Sequence, residues 1–477
     1  MAKLTVPADD NHPLKDYINP LFTENNWAGD QPGTAAAINY NIDSSDTVFV
    51  DAVHTALQAW SNVANISFTE NPAEEGITFR LTDQYPVIPG SLGGTTKSYT
   101  WDHFIIYEAQ VGLSSDFFTS SDFQSGQRGY HTLLHEIGHA LGFAHPNIQY
   151  DNTSSINNGG SPYADAYPSS LQNYDYSIMN IPNPSFGPVT AQYGYASTPQ
   201  FADIAAIQYL YGANHSYNAG DDTYDFATPQ VMTLWDGGGN DTIDASAQNA
   251  GVRINLNEAA GDAHSTIGGS AFWIAHGANI ENANGGAGTD TLIGNALNNT
   301  LRGLGANDDI SGNAGHDWIN GNQGNDTLTG GIGSDTLRGG QDQDTLTGNQ
   351  GWDFANGNKG NDTVAGENGN DTLHGGQNED ILQGGDGNDL LFGDLGHDTL
   401  TGGSGADSFI FNALTSGIDT ITDFQPGIDT LELRNSSYTS PSEVIAAFTG
   451  NTLDLLGGNT ITLANGVVLT EGDVVLV

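Results

Sequence analysis

Apolar and polar residues alternate in two short stretches near the start of the chain, AAINYNI at 36–42 and GITFRL at 76–81. This two-residue period predicts half-buried β-strands. Between them, in VDAVHTALQAWSNVAN at 50–65, apolar residues recur at helical spacing. The pattern predicts strand, helix and strand, with the apolar face of the helix covering the sheet. A further helix is predicted in DIAAIQYLYG, beginning at a capping Asp203 and ending at Gly212.

From residue 285 the pattern changes to a nine-residue repeat, which runs from GGAGTDTLI to GGSGADSFI. Its sixth position falls at residue 290 and at every ninth residue up to 407, and it is aspartate everywhere except at Asn299. Two residues after each of these positions comes an apolar residue, of which only Ala355 is weak. Glycines allow the positive φ of turns and the apolar position points inward. The repeats therefore predict short strands stacked as coils, with two nonapeptides in each coil.

The repeat aspartates would line the two edges of this stack. Between residues 285 and 412 only Arg302, Arg338 and Lys359 oppose them, so the columns would repel one another without bound cations. Calcium is the expected cation, because it takes carboxylate oxygens together with the backbone carbonyls that glycine loops expose. The alternative, a solvated low-complexity linker, does not explain the regular apolar position.

Composition narrows the classes of partner and of metal site. A chain of 477 residues is expected to form at least two domains. Its formal net charge of −47 argues against nucleic acid or an anionic membrane as partner, because both favour Lys and Arg. Cysteine is absent, which excludes disulfides and thiolate metal sites. No stretch is long and apolar enough to cross a bilayer, and the first twenty residues lack the apolar core of a secretory signal.

The segment LLHEIGHALGFAHP at 133–146 contains three histidines and one glutamate. His135 and His139 are four residues apart on a predicted helix, so both side chains can reach one zinc ion. Gly142 can end the helix, which lets His145 return to the same ion. Three ligands leave a position open for water, as in catalytic zinc sites, and Glu136 is then the expected general base. The alternative is a helix that carries histidines by chance, which the added Gly142 and His145 make less favoured.

The sequence HEIGHALGFAHP resembles the metzincin zinc motif, and most closely that of the serralysin branch. Met179 in YDYSIMNIP is similar to the methionine of the turn that lies beneath the metal in metzincins. The nonapeptides resemble the RTX repeats, which form a calcium-loaded parallel β-roll. The segments LQAWSNVANISFTE, DIAAIQYLYGAN, WDGGGNDTID and IAHGANIENANGGAG are also similar to serralysin segments, so the resemblance covers nearly the whole chain.

This resemblance implies an α+β metzincin catalytic domain followed by an all-β parallel β-roll domain. Residues 1–22 would be a tail or residual pro-segment, 23–214 the zinc metalloprotease domain and 215–477 the calcium-binding domain, with repeats at about 285–412. The implied function is that of a secreted zinc-dependent endopeptidase with one catalytic zinc ion and several structural calcium ions. The expected partners are protein or peptide substrates, a type I exporter and a proteinaceous protease inhibitor, and the chain is expected to be a monomer.

The resemblance also assigns residues by position. Zinc would be bound by His135, His139 and His145, and Glu136 would be catalytic. The implied calcium ligands ahead of the repeats are Asn218, Gly220 and Asp222 facing Asp236, Gly238 and Asp241 in one site, and Asn279 with Glu281 in another. In the repeats the implied ligands are the carbonyls of Gly286 and Gly288 and the carboxylates of Asp290, Asp308, Asp317, Asp326, Asp335, Asp344, Asp353, Asp362, Asp371, Asp380, Asp389, Asp398 and Asp407.

Some positions depart from the family pattern. Serralysins usually carry a tyrosine two residues after the turn methionine, where it helps to stabilise the oxyanion, and Ile181 stands there instead. Activity is therefore expected to be reduced or differently tuned rather than abolished. Leu304, Ala306, Asp342 and Asn378 stand at loop positions of the repeats, and their coils are expected to bind calcium less well.

Two alternatives remain open at this point. The final EGDVVLV is similar to the uncleaved export signal of serralysins, near 473–477, but it also fits a final β-strand ending at Val477, and the two roles are compatible. The chain could also be a catalytically impaired metzincin that acts as a calcium-binding extracellular surface or matrix protein. Only the loss of the tyrosine at Ile181 supports this second function.

Overall fold

The computed structural model describes residues 32–82, 94–100, 106–115, 118–143, 149–150, 156–157, 177–179, 195–258 and 264–477. The chain divides into two compact units. Unit 1 comprises Met1–Asp222, Phe226–Gly239 and Glu258–Asn279, and unit 2 comprises Thr223–Asp225, Asn240–Asn257 and Ile280–Val477. Unit 1 thus extends beyond the predicted boundary at residue 214, because residues 215–222 and two later segments belong to it.

The secondary structure of the described ranges is mainly short strands. Helices are α1 (Thr47–Val63), α2 (Arg128–Ala140), α3 (Phe201–Tyr211) and α4 (Pro441–Ala447), with 3₁₀ turns at Ser120–Phe123, Leu456–Gly458 and Glu471–Asp473. The strands before residue 280 are β1 (Ala36–Asp43), β2 (Ile66–Glu70), β3 (Ile77–Thr82), β4 (Gly94–Thr100), β5 (Ile106–Ser114), β6 (Gln149–Tyr150), β7 (Ile156–Asn157), β8 (Thr223–Asp225), β9 (Val231–Leu234), β10 (Thr242–Asp244), β11 (Arg253–Asn255), β12 (Ser265–Ile267) and β13 (Ser270–Ile274). The later strands are β14 (Asn282–Asn284), β15 (Thr291–Ile293), β16 (Thr300–Leu304), β17 (Asp309–Ala314), β18 (Trp318–Gln323), β19 (Thr327–Ile332), β20 (Thr336–Gln341), β21 (Thr345–Gln350), β22 (Phe354–Lys359), β23 (Thr363–Asn368), β24 (Thr372–Gln377), β25 (Ile381–Asp386), β26 (Leu390–Leu395), β27 (Thr399–Ser404), β28 (Ser408–Asn412), β29 (Ile418–Ile421), β30 (Thr430–Arg434), β31 (Phe448–Thr449), β32 (Thr452–Asp454), β33 (Thr460–Leu463) and β34 (Val474–Leu476).

Unit 1 contains a sheet with the strand order β2-β1-β3-β5-β4. Neighbouring strands are parallel except β4, which pairs antiparallel with β5 at one edge. α1 connects β1 to β2, starts after the capping carboxylate of Asp46, and buries Val53, Leu57 and Trp60. The predicted order of strand, helix and strand is confirmed. The strand that follows the helix, however, is β2 in ISFTE, which the analysis of apolar periodicity missed.

α3 differs in one detail from its prediction. The helix is capped by Gln200, and Asp203 lies in the first turn, where its carboxylate accepts a hydrogen bond from the Gln200 N–H at 2.9 Å. Its end at Gly212 is as predicted, because that residue has a φ of +79°.

From β14 to β30 successive strands alternate between two sheets and pair parallel, so that one coil contains two nonapeptides, as predicted, whereas β31, β32 and β33 pair antiparallel at one end of the second sheet. Strands 18 residues apart are neighbours: Thr327 pairs with Thr345 and Trp318 with Thr336. Sheet A has the order β8-β10-β14-β16-β18-β20-β22-β24-β26-β28-β30-β34, and in this unit sheet B runs β11-β15-β17-β19-β21-β23-β25-β27-β29-β33-β32-β31. The apolar eighth positions, from Leu292 to Phe409, are fully buried, which confirms the predicted β-roll.

A second ladder joins the coils along the two aspartate columns. The backbone N–H of an aspartate donates to Oδ1 of the aspartate one coil later, as from Asp308 to Asp326 and from Asp326 to Asp344, both at 2.8 Å. Each coil is therefore held by its neighbour through carboxylates as well as through the backbone ladder.

The carboxyl-terminal strand β34 pairs parallel with β30 at one end of sheet A. The predicted final strand is present, and an export role for EGDVVLV stays a prediction. None of the helices in the described part of the chain has the length and apolar content needed to span a bilayer.

Candidate functional site

α2 holds His135 and His139 one turn apart, with their ring centroids separated by 4.7 Å and their planes perpendicular. Nδ1 of His135 lies 2.6 Å from the carbonyl oxygen of Ile178, and Nδ1 of His139 lies 2.9 Å from that of Phe143. Because a carbonyl oxygen can only accept, we assign the proton of each imidazole to Nδ1. Each Nε2 then keeps the lone pair that binds a metal, and this arrangement fits zinc.

Glu136 follows the first histidine on α2 and is 7% exposed. One residue along an α-helix corresponds to a turn of about 100°, so Glu136 stands beside the His135 and His139 pair rather than in line with it. A carboxylate in this position can exchange a proton with a water molecule near the two imidazoles. The sequence prediction of Glu136 as general base stays a prediction.

The end of α2 is built as the sequence predicts. Gly142 has a φ of +108° and its N–H donates to the carbonyl of His139 at 3.1 Å. The N–H of Phe143 donates to the carbonyl of Gly138 at 3.0 Å, which completes a Schellman motif. The same turn places the Phe143 carbonyl against Nδ1 of His139, so ending the helix also orients the ligand. His145 and Ile181 lie outside the described residues.

Met179 is fully buried beneath α2. A Cβ on Gly138, which stands between the two histidines on the helix, would come within 2.5 Å of the Met179 sulfur and 3.3 Å of the Trp60 ring. A side chain at 138 would therefore push the histidine helix away from the methionine. The indole N–H of Trp60 donates to the Leu134 carbonyl at 3.3 Å and so attaches the helix to α1.

The carboxylate of Asp203 holds the chain around Met179 in place. It accepts hydrogen bonds from the Ser177 hydroxyl at 2.7 Å and from the N–H groups of Ile178 at 2.8 Å and Gln200 at 2.9 Å. Burial raises the pKa of Asp203 to about 7, although these hydrogen bonds lower it. Ile178 in turn orients His135, so Asp203 acts on this histidine through one intermediate residue. The sequence pattern predicts Asp203 only as a helix cap and gives no sign of this role.

His131 lies one turn before His135 on the same helix but has a different environment. It is buried, and burial lowers its pKa to about 4, so the imidazole is neutral near neutral pH. Its ring lies 5.7 Å from that of Tyr195. These features are those of a core histidine, in agreement with its absence from the predicted ligand set.

The loop ahead of β8 and the segment after β9 carry the first predicted calcium site. Within unit 1, Asp222 and Asp236 bring carboxylate oxygens to within 4.8 Å of one another. Asn218 has a φ of +46° in the loop that also contains Gly220, and the N–H of Gly238 donates to Oδ1 of Asp236 at 2.7 Å. Two carboxylates this close favour a bound cation, and their oxygens suit calcium.

The remaining predicted ligands in this region are Asp241, Asn279 and Glu281, and their part in calcium binding stays a prediction. In unit 2, the N–H of Asp241 donates to Oε2 of Glu281 at 2.8 Å, so two residues assigned to different sites are direct neighbours. The carbonyl of Glu281 accepts from Thr300 at 3.2 Å, and Asn279 is exposed in unit 1. Glu281 therefore supports the start of the roll through its backbone and its side chain.

The repeat aspartates carry the strongest indication of calcium in the described residues. One oxygen, Oδ1, accepts the backbone hydrogen bond of the ladder, whereas the other, Oδ2, is buried and has no hydrogen-bond partner. This pattern holds at Asp308, Asp317, Asp326, Asp335, Asp344, Asp353, Asp362, Asp371, Asp380, Asp389, Asp398 and Asp407. A buried carboxylate oxygen without a donor is costly unless a cation neutralises it. The donor set fits calcium, which takes oxygen ligands only.

Burial also changes the acidity of these groups. It raises the pKa of Asp344 to about 8, of Asp317 to about 7 and of Asp362 to about 6, and neighbouring aspartates add to the shift at Asp344. A bound cation would reverse this shift, because it favours the ionised form.

The amino-terminal end of the aspartate columns differs from their middle. Asp290 uses both oxygens, since it accepts from the N–H groups of Val252 and Gly286. Asn299 donates its amide to the Glu281 carbonyl at 3.0 Å, which an aspartate could not do. At the other end Asp419 continues the pattern, with a buried Oδ2 that has no partner, and its pKa is raised to about 8 by burial. The sequence analysis missed Asp419 because it lies outside the nine-residue register, although the motif Asp-Thr-Ile marks it.

The unusual loop residues of the repeats have a positive φ, as glycines at the corresponding positions have, but a smaller one. Leu304, Ala306, Asp342 and Asn378 have φ values of +80°, +64°, +74° and +86°, whereas Gly333 and Gly351 have +138° and +145°. Positive values are strained for residues other than glycine, so the coil geometry is strong enough to impose them. The predicted loss of calcium affinity at these coils stays a prediction.

Comparisons with known proteins match three parts of the chain. Residues 27–155 match the family described as Matrixin, 204–365 match Peptidase M10 serralysin C terminal, and 375–409 match the RTX calcium-binding nonapeptide repeat. The chain is 37% identical over 261 residues to Metallopeptidase AprA of Pseudomonas marginalis, which covers 50% of this chain and 52% of that protein. It is 34% identical over 330 residues to Serralysin C of Dickeya chrysanthemi, covering 61% and 66%, and 35% identical over 268 residues to Serralysin of Photorhabdus luminescens, covering 51% of each. The matches thus span about half to two thirds of the length of these relatives.

Proposed function

We propose, on the premise that the chain is a serralysin-like metzincin with RTX calcium-binding repeats, that it is a secreted zinc-dependent endopeptidase. The observation that carries this proposal is the pair of imidazoles, His135 and His139, whose Nδ1 atoms are fixed by backbone carbonyls. Glu136 stands beside them and Met179 lies beneath them. Nothing in the described residues favours the alternative of a surface or matrix protein without activity.

His135, His139 and His145 would hold the zinc ion. When bound, zinc supplies a Lewis acid that polarises the scissile carbonyl and makes a water molecule more acidic. Glu136 accepts the proton of the attacking water and later passes it to the departing amine. The carbonyls of Ile178 and Phe143 keep the imidazoles in the required tautomer throughout, and Asp203 keeps Ile178 in place.

Substrate positioning would use the edge of the sheet. β4 is the outermost strand next to β5 and runs antiparallel to it. An extended peptide can pair with such an edge through backbone hydrogen bonds, which would make binding largely independent of sequence. Ile181 stands where serralysins usually carry the tyrosine that helps to stabilise the oxyanion, and we therefore expect reduced or differently tuned activity.

Unit 2 would serve stability and export. Without calcium the aspartate columns destabilise the roll, so an unfolded chain can pass through a type I exporter and then fold where calcium is plentiful. A proteinaceous inhibitor and a monomeric state stay predictions.

Chelator-sensitive hydrolysis of casein tests the proposed activity. The zinc- and calcium-loaded protein should cleave casein, and Glu136→Ala should lower the rate by about 10²- to 10⁴-fold while zinc content is unchanged. Asp51→Ala removes an exposed acid from α1 and is the matched control, with activity expected to equal wild type. Absence of casein cleavage by zinc-loaded wild type, or full activity of Glu136→Ala, would contradict the proposal.

A further inference from the structure

Between residues 300 and 374 the outer face of sheet A has a period of 36 residues, which is two coils, and the column after the buried residue then continues with Phe392 and Ile410. Each strand presents two side chains outward, one on either side of the buried apolar residue. The column after the apolar residue alternates basic side chains with asparagine, in the order Arg302, Asn320, Arg338, Asn356 and His374. The column before it alternates threonine with a large apolar residue, in the order Thr300, Trp318, Thr336, Phe354, Thr372 and Leu390. The fold itself repeats every nine and eighteen residues, so folding does not require this longer period.

The basic and aromatic groups of this face are in contact with one another. The guanidinium of Arg302 lies 4.9 Å from the centre of the Trp318 ring. The ring of His374 is stacked on Phe392 at 4.2 Å and lies 5.5 Å from Phe354. The rings are half-buried, and the outer face of sheet A therefore carries two groups of basic and aromatic side chains in contact, one at Arg302 and Trp318 and one around His374.

The charge of this face differs from that of the rest of unit 2. All three basic residues of the repeats, Arg302, Arg338 and Lys359, lie on strands of sheet A. The two outward columns contain no acidic residue between 300 and 410, and no ion pair of Arg302 or Arg338 is found among the described residues. On sheet B the same positions are mostly threonine, as at Thr327 and Thr345, and include Asp309. The basic groups are thus concentrated on one face of an otherwise acidic unit.

The spacing indicates the kind of ligand. Two coils correspond to roughly 9.5 Å, twice the distance between neighbouring strands. A disaccharide in an extended polysaccharide has a similar length. Aromatic rings stack on the apolar faces of sugars, and the planar fork of arginine matches a carboxylate. A nucleic acid also combines rings with anions, but it carries a phosphate on every nucleotide, whereas the arginines of this face, Arg302 and Arg338, lie two coils apart.

From this juxtaposition we infer that the outer face of sheet A binds an extended acidic polysaccharide that carries one carboxylate in each disaccharide. The polysaccharide lies along the stack, across the strands. Its sugars stack on Trp318 and Phe354, and its carboxylates meet Arg302 and Arg338. The inference does not depend on the proposed peptidase activity, because it uses only residues of unit 2.

Hyaluronan oligosaccharides are the probe, because they alternate a uronate with a neutral sugar. Calorimetric titration of the calcium-loaded full chain should show binding, and none should be seen with neutral dextran. Arg338→Gln should weaken binding by about tenfold, since it removes a charge-assisted contact. Phe354→Thr should also weaken it, and threonine already occupies this column on alternate coils, so the roll should fold normally. Lys359→Gln removes the same charge from the same sheet outside the two columns and should leave affinity unchanged.

Three results would overturn the inference. The first is failure of the calcium-loaded wild type to bind hyaluronan. The second is equal weakening by Arg338→Gln and Lys359→Gln, which would reduce the interaction to general charge attraction. The third is tighter binding of single-stranded DNA than of hyaluronan, which would assign the face to a different partner. Circular dichroism of each variant in calcium verifies that the roll is intact, and Arg302→Gln provides an independent variant if Arg338→Gln does not fold.

Discussion

Replacing Asp203 by alanine should loosen the zinc site without touching a ligand. The change removes the acceptor of three buried hydrogen bonds, from Ser177, Ile178 and Gln200, and leaves a cavity. A buried donor left without its acceptor costs about 1–3 kcal/mol, so we expect unit 1 to lose about 3–5 kcal/mol of stability. Because Ile178 orients His135, zinc affinity should fall by about 10- to 100-fold.

Asp203→Asn is the matched control. Its carbonyl oxygen can accept from the N–H groups of Ile178 and Gln200, and its amide can donate to the Ser177 hydroxyl after that hydroxyl rotates. We expect this variant to lose about 1 kcal/mol of stability and to keep nearly normal zinc affinity.

The comparison of Asp203→Asn with wild type also depends on pH in a defined way. The pKa of Asp203 is raised from 3.8 to about 7, so its contribution to stability is greatest below pH 3.8 and declines as the pH rises through 7. As the pH rises from 5 to 8, the free energy of unfolding of the asparagine variant should therefore increase relative to that of wild type.

Competition with a chromogenic chelator measures zinc affinity, and hydrogen exchange followed by mass spectrometry measures local opening at Ile178 and Met179. The alanine variant should show faster exchange at both amides together with weaker zinc binding. Wild-type zinc affinity combined with wild-type exchange in Asp203→Ala would refute the positioning role. Loss of zinc without faster exchange would mean that His135 is oriented by some other contact.

Three further changes test other parts of the structure. Gly142→Ala places a side chain at a φ of +108° and should destabilise the end of α2 by about 1 kcal/mol or more. Gly142→Asn should lose less stability, and thermal unfolding of unit 1 measures the difference between the two variants. Asp344→Asn should lower calcium stoichiometry in equilibrium dialysis, whereas the exposed Asp309→Asn should not, and equal losses would contradict the assignment of the columns. In a calcium chelator, acidification from pH 8 to 5 should stabilise the folded roll. The pKa of Asp344 is raised from 3.8 to about 8, so the stability that its protonation contributes is present below pH 3.8 and is lost as the pH rises through 8. With calcium bound the same acidification should destabilise it, because protons compete for the carboxylates, and far-ultraviolet circular dichroism should show the two opposite trends.

The sequence predicted the β-roll well because the repeat defines every coil independently. A fixed register of aspartate and apolar positions specifies which side chain is buried and which loop turns, and Ala355 is as completely buried as the leucines around it. β2 was missed for the opposite reason. Its sequence ISFTE has a single fully buried apolar residue, Ile66, so its strand identity comes from pairing with β1 rather than from its own pattern.

At the candidate site, local features were predictable and distant contacts were not. The helical spacing of His135 and His139 and the end of α2 at Gly142 follow from neighbouring residues. The function of Asp203 depends on contacts with residues about 25 positions earlier, and a sequence pattern for a helix start gives no sign of them. Asp419 was overlooked because a spacing of 21 residues replaces that of 18 where the repeats end.

The aspartate ladder makes the stacking of coils depend on direction. An aspartate N–H finds its acceptor only on the following coil, so each coil is completed by the one that comes after it in the chain. The last repeats obtain their acceptors from Asp419 and Asp429, and the N–H of Gly427 obtains its acceptor from Asp473 at 2.7 Å. The carboxyl-terminal end of the roll is therefore closed by residues outside the repeat, which supply the acceptors that the last coils would otherwise lack.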